Sequence, residues 1–298
     1  YKKKINNSMK YILPHNINQR LIGTSGSNLL IFFDKVYKIR KLSKSNETSL
    51  RLEQQYKKTL HIKKNKNFKL INIPKIYGRG YYKSNFYYDM QYINSENLSE
   101  LILRNEYKST NKLFQKILAF VILCKKKSSH NYYKPNIILN KIYDVEKQID
   151  PKDKSLQKII TTLKNFSWKN VQYSECHGDL TFENILIKKD KIFFIDLSSN
   201  FIDSFYLDLS KLLFDLICGW SFRELVENGN NIEINFLKKF YIQFLNSNFT
   251  IDELDLIKMF TLLDFIRVLN YSKNFKHLKL LKIKIKHLYD NFNNSLLW

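Results

Sequence analysis

One segment constrains this chain more than any other. Cys176-His177-Gly178-Asp179-Leu180-Thr181-Phe182-Glu183-Asn184 leads into the apolar run Ile185-Leu186-Ile187. A polar turn at Lys189-Asp190 and a second apolar run, Phe193-Phe194-Ile195, follow and end at Asp196. Two short strands, Asn184–Lys188 and Lys191–Leu197, are predicted to pair across that turn, which brings Asn184 and Asp196 together. Phosphoryl transfer explains each part. One carboxylate beside the acceptor hydroxyl orients it and takes its proton, while an amide and a second carboxylate hold Mg²⁺ on nucleotide phosphates. Mg²⁺ favours oxygen ligands and few protein contacts, which that pair satisfies. A chain of this composition contains H-G-D-x4-N by chance roughly once in 1,000 cases.

The rest of the chain divides by periodicity. Before Asn97, short β-type runs alternate with turns: Leu29–Phe33 and Val36–Ile39 around Asp34-Lys35, then Lys75–Tyr82 and Phe86–Ile93 around Lys83-Ser84-Asn85. A helix over about Asn46–Ile62 separates the two pairs. From Leu98 the apolar spacing becomes helical, through Leu98–Lys126 and again over about 206–218, 232–247, 251–270 and 276–293. The expected class is therefore α+β, with two lobes: 1–93, mostly β with one helix, and 94–298, mainly helical and carrying the Asp179 segment. The polar stretch 131–170 is given no assignment.

The segment resembles the catalytic loop of the aminoglycoside phosphotransferase and choline kinase-like family, whose members have a bilobal protein-kinase-like fold. The resemblance spans about residues 20–270. It implies Asp179 as catalytic base, Asn184 and Asp196 as metal ligands, and His177 as organiser of the loop. Asp208, in Tyr206-Leu207-Asp208-Leu209-Ser210-Lys211, matches the family's downstream helix start, although an acid there also suits a helix N-terminus. The resemblance further implies a phosphate-covering loop, for which Gly23, Ser25, Gly26 and Ser27 are candidates; a plain hairpin turn fits them as well. It implies a lysine on the nucleotide phosphates. Lys38 is preferred over Lys35 and Lys41 because its flanks are apolar. It implies a helical Glu to hold that lysine, with Glu53 favoured over the N-terminal Glu47. Met90 and Tyr92 fit the strand that meets the adenine edge, and equally a core strand.

The resemblance implies an ATP-dependent phosphotransferase using Mg²⁺, with GTP as a possible donor. Leu197-Ser198-Ser199 replaces the Phe-Gly of protein kinases, and about a dozen residues separate Asp196 from Asp208, too few for a peptide-docking platform. A small-molecule or glycan hydroxyl is the expected acceptor. The pattern H-G-D-L-T-F-x-N-I-L with a trailing D-L-x-K-L-L resembles phosphotransferase-like proteins of surface-polysaccharide gene clusters, which favours a sugar or polyol. Asp252, Asp255, Asp264 and Arg267 could line the acceptor pocket or simply occupy helix surfaces. Lys273, Lys276, Lys279, Lys282, Lys284 and Lys286 would repel a polycationic aminoglycoside, and also read as a solvated helix face.

Charge invites a rival reading. The net charge is +23, from 50 Lys and Arg against 27 Asp and Glu. Only 7 of those cations are Arg, so the forks that read phosphates and bases are scarce, and nucleic acid is not the expected partner. A catalytically silent kinase-like module is the second alternative, and the intact Asp179, Asn184, Asp196 and Lys38 set argues against it. Apolar runs are too short to span a bilayer, no secretory leader opens the chain, and Cys124, Cys176 and Cys218 form no C-x-x-C. The expected location is the cytoplasm.

Overall fold

Alternating apolar and polar residues with turns at fixed points build the N-terminal third. The structure is a computed structural model that describes residues 27–65, 69–104, 107–223, 225, 234–272 and 275–292. Strands β1 (Ser27–Asp34), β2 (Val36–Ser43), β3 (Ile76–Tyr82) and β4 (Asn85–Gln91) form an antiparallel sheet in the order β1-β2-β4-β3. The β1–β2 register runs from Ser27 opposite Ser43 to Asp34 opposite Val36. Lys35 turns the chain at φ 60°, and Lys83 and Ser84 turn it at φ 48° and 67°. Positive φ at both central residues is the geometry of a tight two-residue hairpin. Gly80 in β3 makes room for the Tyr87 ring of the facing strand, since a Cβ there would lie 2.8 Å from the Tyr87 hydroxyl and force that side chain to shift.

Helix α1 (Asn46–Lys64) starts on a capping box in which Ser45 and Thr48 satisfy each other's backbone N–H. Its buried Leu52 joins Phe86, Tyr88 and Met90 of β4 in a core that Ile39, Tyr56, Ile76 and Ile195 extend. Ile195 belongs to the stretch after a third hairpin, β5 (Ile185–Lys188) and β6 (Lys191–Phe194), turned at Lys189 and Asp190 with φ 47° and 58°.

The chain separates into two compact units: residues 1–96 with 186–199, and residues 97–185 with 200–298. Among the described residues the second unit is helical: α2 (Leu98–Leu103), α3 (Tyr107–Lys126), α4 (Pro135–Glu146), α5 (Lys154–Asn165), α6 (Phe205–Cys218), α7 (Asn235–Asn248), α8 (Ile251–Leu269) and α9 (Phe275–Phe292). The helix expected over Leu98–Lys126 is two helices, α2 ending at Arg104, whose N–H folds back on Leu101 O. The unassigned stretch 131–170 holds α4, opened by Pro135, and α5, capped by Asp153 on Leu156 N–H.

Helix α6 is the centre of the second unit. Every residue in it except Ile217 is buried, and it packs against α8, with α3, α7 and α9 also in contact. Removing a core leucine from such a helix typically costs 2–5 kcal/mol, so α6 gives the residues it carries a rigid platform.

Candidate active site

The second unit carries the Asp179 loop, and α6 fixes it. Asp208, wholly buried in the first turn of α6, accepts the His177 N–H at 2.7 Å and the Gly178 N–H at 2.8 Å. One carboxylate thus satisfies two adjacent buried amides, a charge-assisted pair that locks the loop to the helix. Gly178 is at φ 86°, which a side chain would resist, and Asn200 Nδ2 donates to its carbonyl. Buried His177 accepts the Asp179 N–H on Nδ1 at 3.2 Å. His177 thus bonds within the loop, and Asp208 ties the loop to α6 rather than only lying on a helix terminus.

The Asp179 side chain is held on both oxygens. Asn184 Nδ2 donates to the Asp179 carbonyl at 2.8 Å and to Oδ2 at 3.2 Å. Lys211 Nζ lies 3.5 Å from Oδ1, and its own anchor is Asp264 Oδ1 at 3.2 Å. Asp264 also accepts from Ser210 Oγ at 2.8 Å and Arg267 at 3.2 Å. Burial alone would depress the Lys211 ammonium; Asp264 and Asp179 outweigh it and hold its pKa above the ordinary lysine value. The Asp179 carboxylate remains 41% exposed, open to a reactant on its outer side.

A second carboxylate braces the far end of the loop. Asp215, one face along α6 from Asp208 and Lys211, accepts Phe182 N–H at 2.8 Å and Ser221 N–H at 2.8 Å. Burial pushes its carboxyl up, against the hydrogen bonds from Ser221 and Phe182.

The first unit carries the other charged pair. Lys41, in β2 and 4% exposed, places Nζ on Asp196 Oδ1. Asp196 is at φ 60°, a left-handed conformation that an L-residue adopts at a cost of about 1–2 kcal/mol. Tyr88 faces Lys41 across β2 and β4 and donates its hydroxyl to Gln55 Oε1 at 3.1 Å. Burial and the Asp196 charge both raise the Tyr88 pKa well above its ordinary value. Lys58 donates to Ser198 O at 2.8 Å, tying α1 to the chain just after Asp196.

Several expected placements differ. Lys38 is not the lysine with a buried charge: its Nζ bonds Asp34 Oδ2 at 2.7 Å and sits over the Tyr77 ring. Of its two apolar flanks Tyr37 is exposed, and Ile39 packs into the sheet's core on the strand face opposite Lys38. Strand alternation puts Lys41 on the opposite face, which is the one that reaches Asp196. Glu53 bonds Lys57 at 3.0 Å and the Tyr81 hydroxyl at 3.3 Å, not a β2 lysine. Met90 is part of the sheet's core, and the Tyr92 N–H already donates to Tyr37 O at 3.2 Å. Ser27 is the buried first residue of β1. Gly23, Ser25 and Gly26 lie outside the described residues. Asp264 and Arg267 form the brace behind Lys211, and Asp255 pairs with Lys258 at 3.0 Å.

Lys211 and Asp215 escaped the sequence reading. Their signal is present: Asp208, Lys211 and Asp215 repeat at i, i+3 and i+7 on a helix whose other residues are almost all apolar or small.

Among the described residues no three His, Cys, Asp or Glu side chains cluster to hold a metal. Asn184 uses its Nδ2 on Asp179, leaving the amide oxygen as its donor, and Asp196 has Oδ2 beyond the oxygen that meets Lys41. Each is an oxygen of the kind that Mg²⁺ takes beside water and phosphate.

No family model matches this chain, and no curated protein matches it by sequence. Solved structures do match. A protein assigned as a fructosamine-3-kinase from Haemophilus somnus 129PT superposes with a TM-score of 0.58 at 13% identity, over 94% of this chain and 90% of that one. An amicoumacin kinase, solved with AMP-PNP, Ca²⁺ and its antibiotic, gives 0.57 at 12% identity, over 95% and 88%. The fold is the protein-kinase-like α+β fold of these enzymes.

Proposed function

We propose that this chain is a phosphotransferase that moves the γ-phosphoryl group of a Mg²⁺-bound nucleotide, ATP or GTP, to a hydroxyl of a small molecule. The observation that carries the reading is the Asp179 carboxylate, clamped by Asn184 on Oδ2 and Lys211 on Oδ1 yet open on its outer side. A general base needs that combination of fixed direction and access. Asp179 orients the acceptor hydroxyl and takes its proton as its oxygen bonds the γ-phosphorus and the bond to the β–γ bridging oxygen breaks, releasing the nucleoside diphosphate. Lys41 supplies a buried cation for the nucleotide phosphates, and Asn184 and Asp196 offer the oxygens for Mg²⁺. The metal, when bound, neutralises charge on the transferring phosphoryl group.

A sugar or polyol is the favoured acceptor. The loop pattern resembles phosphotransferase-like proteins of surface-polysaccharide clusters, and one structural neighbour is named for a sugar-derived substrate. The exposed lysines of α9 disfavour polycationic acceptors. The test is transfer of labelled γ-phosphate from Mg-ATP and Mg-GTP to a panel of sugars and polyols. Labelled product from the wild type, absent with Asp179→Asn, supports the reading; equal product from both overturns it.

A further inference from the structure

Helices α5 and α9 of the second unit leave a groove of about 420 Å³ between them. Its floor is apolar, with Leu156 and Ile159 from α5 and Ile285 from α9, and Leu278 and Ile283 line its α9 side. Its rim is cationic, with Lys279, Lys282 and Lys286 all exposed. Helical spacing separates the faces of α9. Leu281, Ile285 and Leu288 point inward, and Lys279, Ile283 and Lys286 form one outward column. Ile283 is 55% exposed in the middle of that column, and Leu280 is 39% exposed beside it. Across the groove α5 adds exposed Lys154 and Lys158. The carboxylates of this face are Asp153, already bonded to Lys282 at 2.6 Å, and Asp290 near the end of α9.

We propose that this face docks the protein on the surface of an anionic phospholipid bilayer. A helix with lysines flanking exposed Leu and Ile suits the headgroup boundary, where anionic phosphates meet the lysines and the acyl region accepts the apolar side chains. A nucleic acid would match only the charge: it offers nothing to a protruding isoleucine, and the rim is all Lys, without the Arg fork. The proposal is peripheral, for no described helix is long and apolar enough to cross a membrane. It stands independently of the phosphotransferase reading.

The experiment is co-sedimentation of the full chain with vesicles of phosphatidylcholine, alone or mixed equally with phosphatidylglycerol. Binding to the anionic vesicles only, weakening as salt rises, is the expected result. Lys279→Glu/Lys286→Glu should lower that affinity about thirtyfold or more. Ile283→Asp should lower it about tenfold while leaving the salt dependence in place. Both variants have surface substitutions and should melt with the wild type, which separates docking from folding. Vesicle binding unchanged in both variants overturns the proposal. So does binding to duplex DNA with none to anionic vesicles, since charge alone would then account for the face.

Discussion

Lys211 Nζ stands between two carboxylates, 3.5 Å from Asp179 Oδ1 and 3.2 Å from Asp264 Oδ1, inside a helix buried on nearly every side. With Arg267 on Asp264, two cations balance two anions. The balance makes Lys211 both a structural brace and the group that aims the Asp179 side chain.

Lys211→Met should therefore do two separable things. Asp264 keeps Arg267 and Ser210, so losing the buried ammonium's bonds should cost about 1–3 kcal/mol, read as a fall in melting temperature. Misdirecting Asp179 should also lower turnover about a hundredfold. Lys211→Arg keeps the charge and should recover stability more than turnover, because its planar fork cannot reproduce the ammonium geometry. Full turnover in a folded Lys211→Met protein would remove Lys211 from the account.

The two lysines of β2 separate cleanly. Lys41→Met should weaken Mg-nucleotide binding by roughly ten- to hundredfold, the worth of about 1.5–3 kcal/mol for a hydrogen bond to a charged group. Lys38→Met removes an exposed bond to Asp34 and should leave affinity nearly unchanged. Calorimetric titration of the two variants checks the order. The reverse ranking would return the role to Lys38.

Asp215 makes a prediction about pH. Burial raises its carboxyl pKa in the folded protein above the usual 3.8. The folded state then holds a proton that the unfolded chain releases, so this group's contribution to stability is greatest in acid and is lost as pH rises through the raised value. Asp215→Asn should flatten that decline in denaturant titrations from about pH 4 upward. It should also lower stability throughout by about 1–3 kcal/mol, because an amide NH₂ would face the Phe182 or Ser221 N–H. An unchanged slope would show that Asp215 does not titrate in that range.

What the sequence disclosed follows from locality. Asp179, Asn184 and Asp196 lie within one short loop and hairpin, so the roles proposed for them are suggested by spacing alone. The turns at Lys35, at Lys83-Ser84 and at Lys189-Asp190 are punctuated by polar residues between apolar runs. Helix α5 was equally legible in principle, since Leu156, Ile159, Ile160 and Leu163 repeat at helical spacing behind the Asp153 cap. The choice between Lys38 and Lys41 was not legible. Strand parity says that they face opposite ways, but apolar residues occupy both faces of β2, and only the tertiary fold shows which face meets Asp196. Glu53 misled for a similar reason: mid-helix position fixes a face of α1, not the partner on it. Lys211 and Asp264 are 53 residues apart, and nothing local announces that they meet.

The most direct test of the phosphotransferase account is melting temperature with and without Mg-ATP and Mg-GTP, in the wild type and in Asp196→Ala. A ligand that binds only the folded state stabilises it by mass action, by about 2.7 kcal/mol at a hundred times its Kd. The account predicts a magnesium-dependent rise with at least one nucleotide in the wild type, and its loss in Asp196→Ala. No rise with either nucleotide, or the same rise in both proteins, would contradict it.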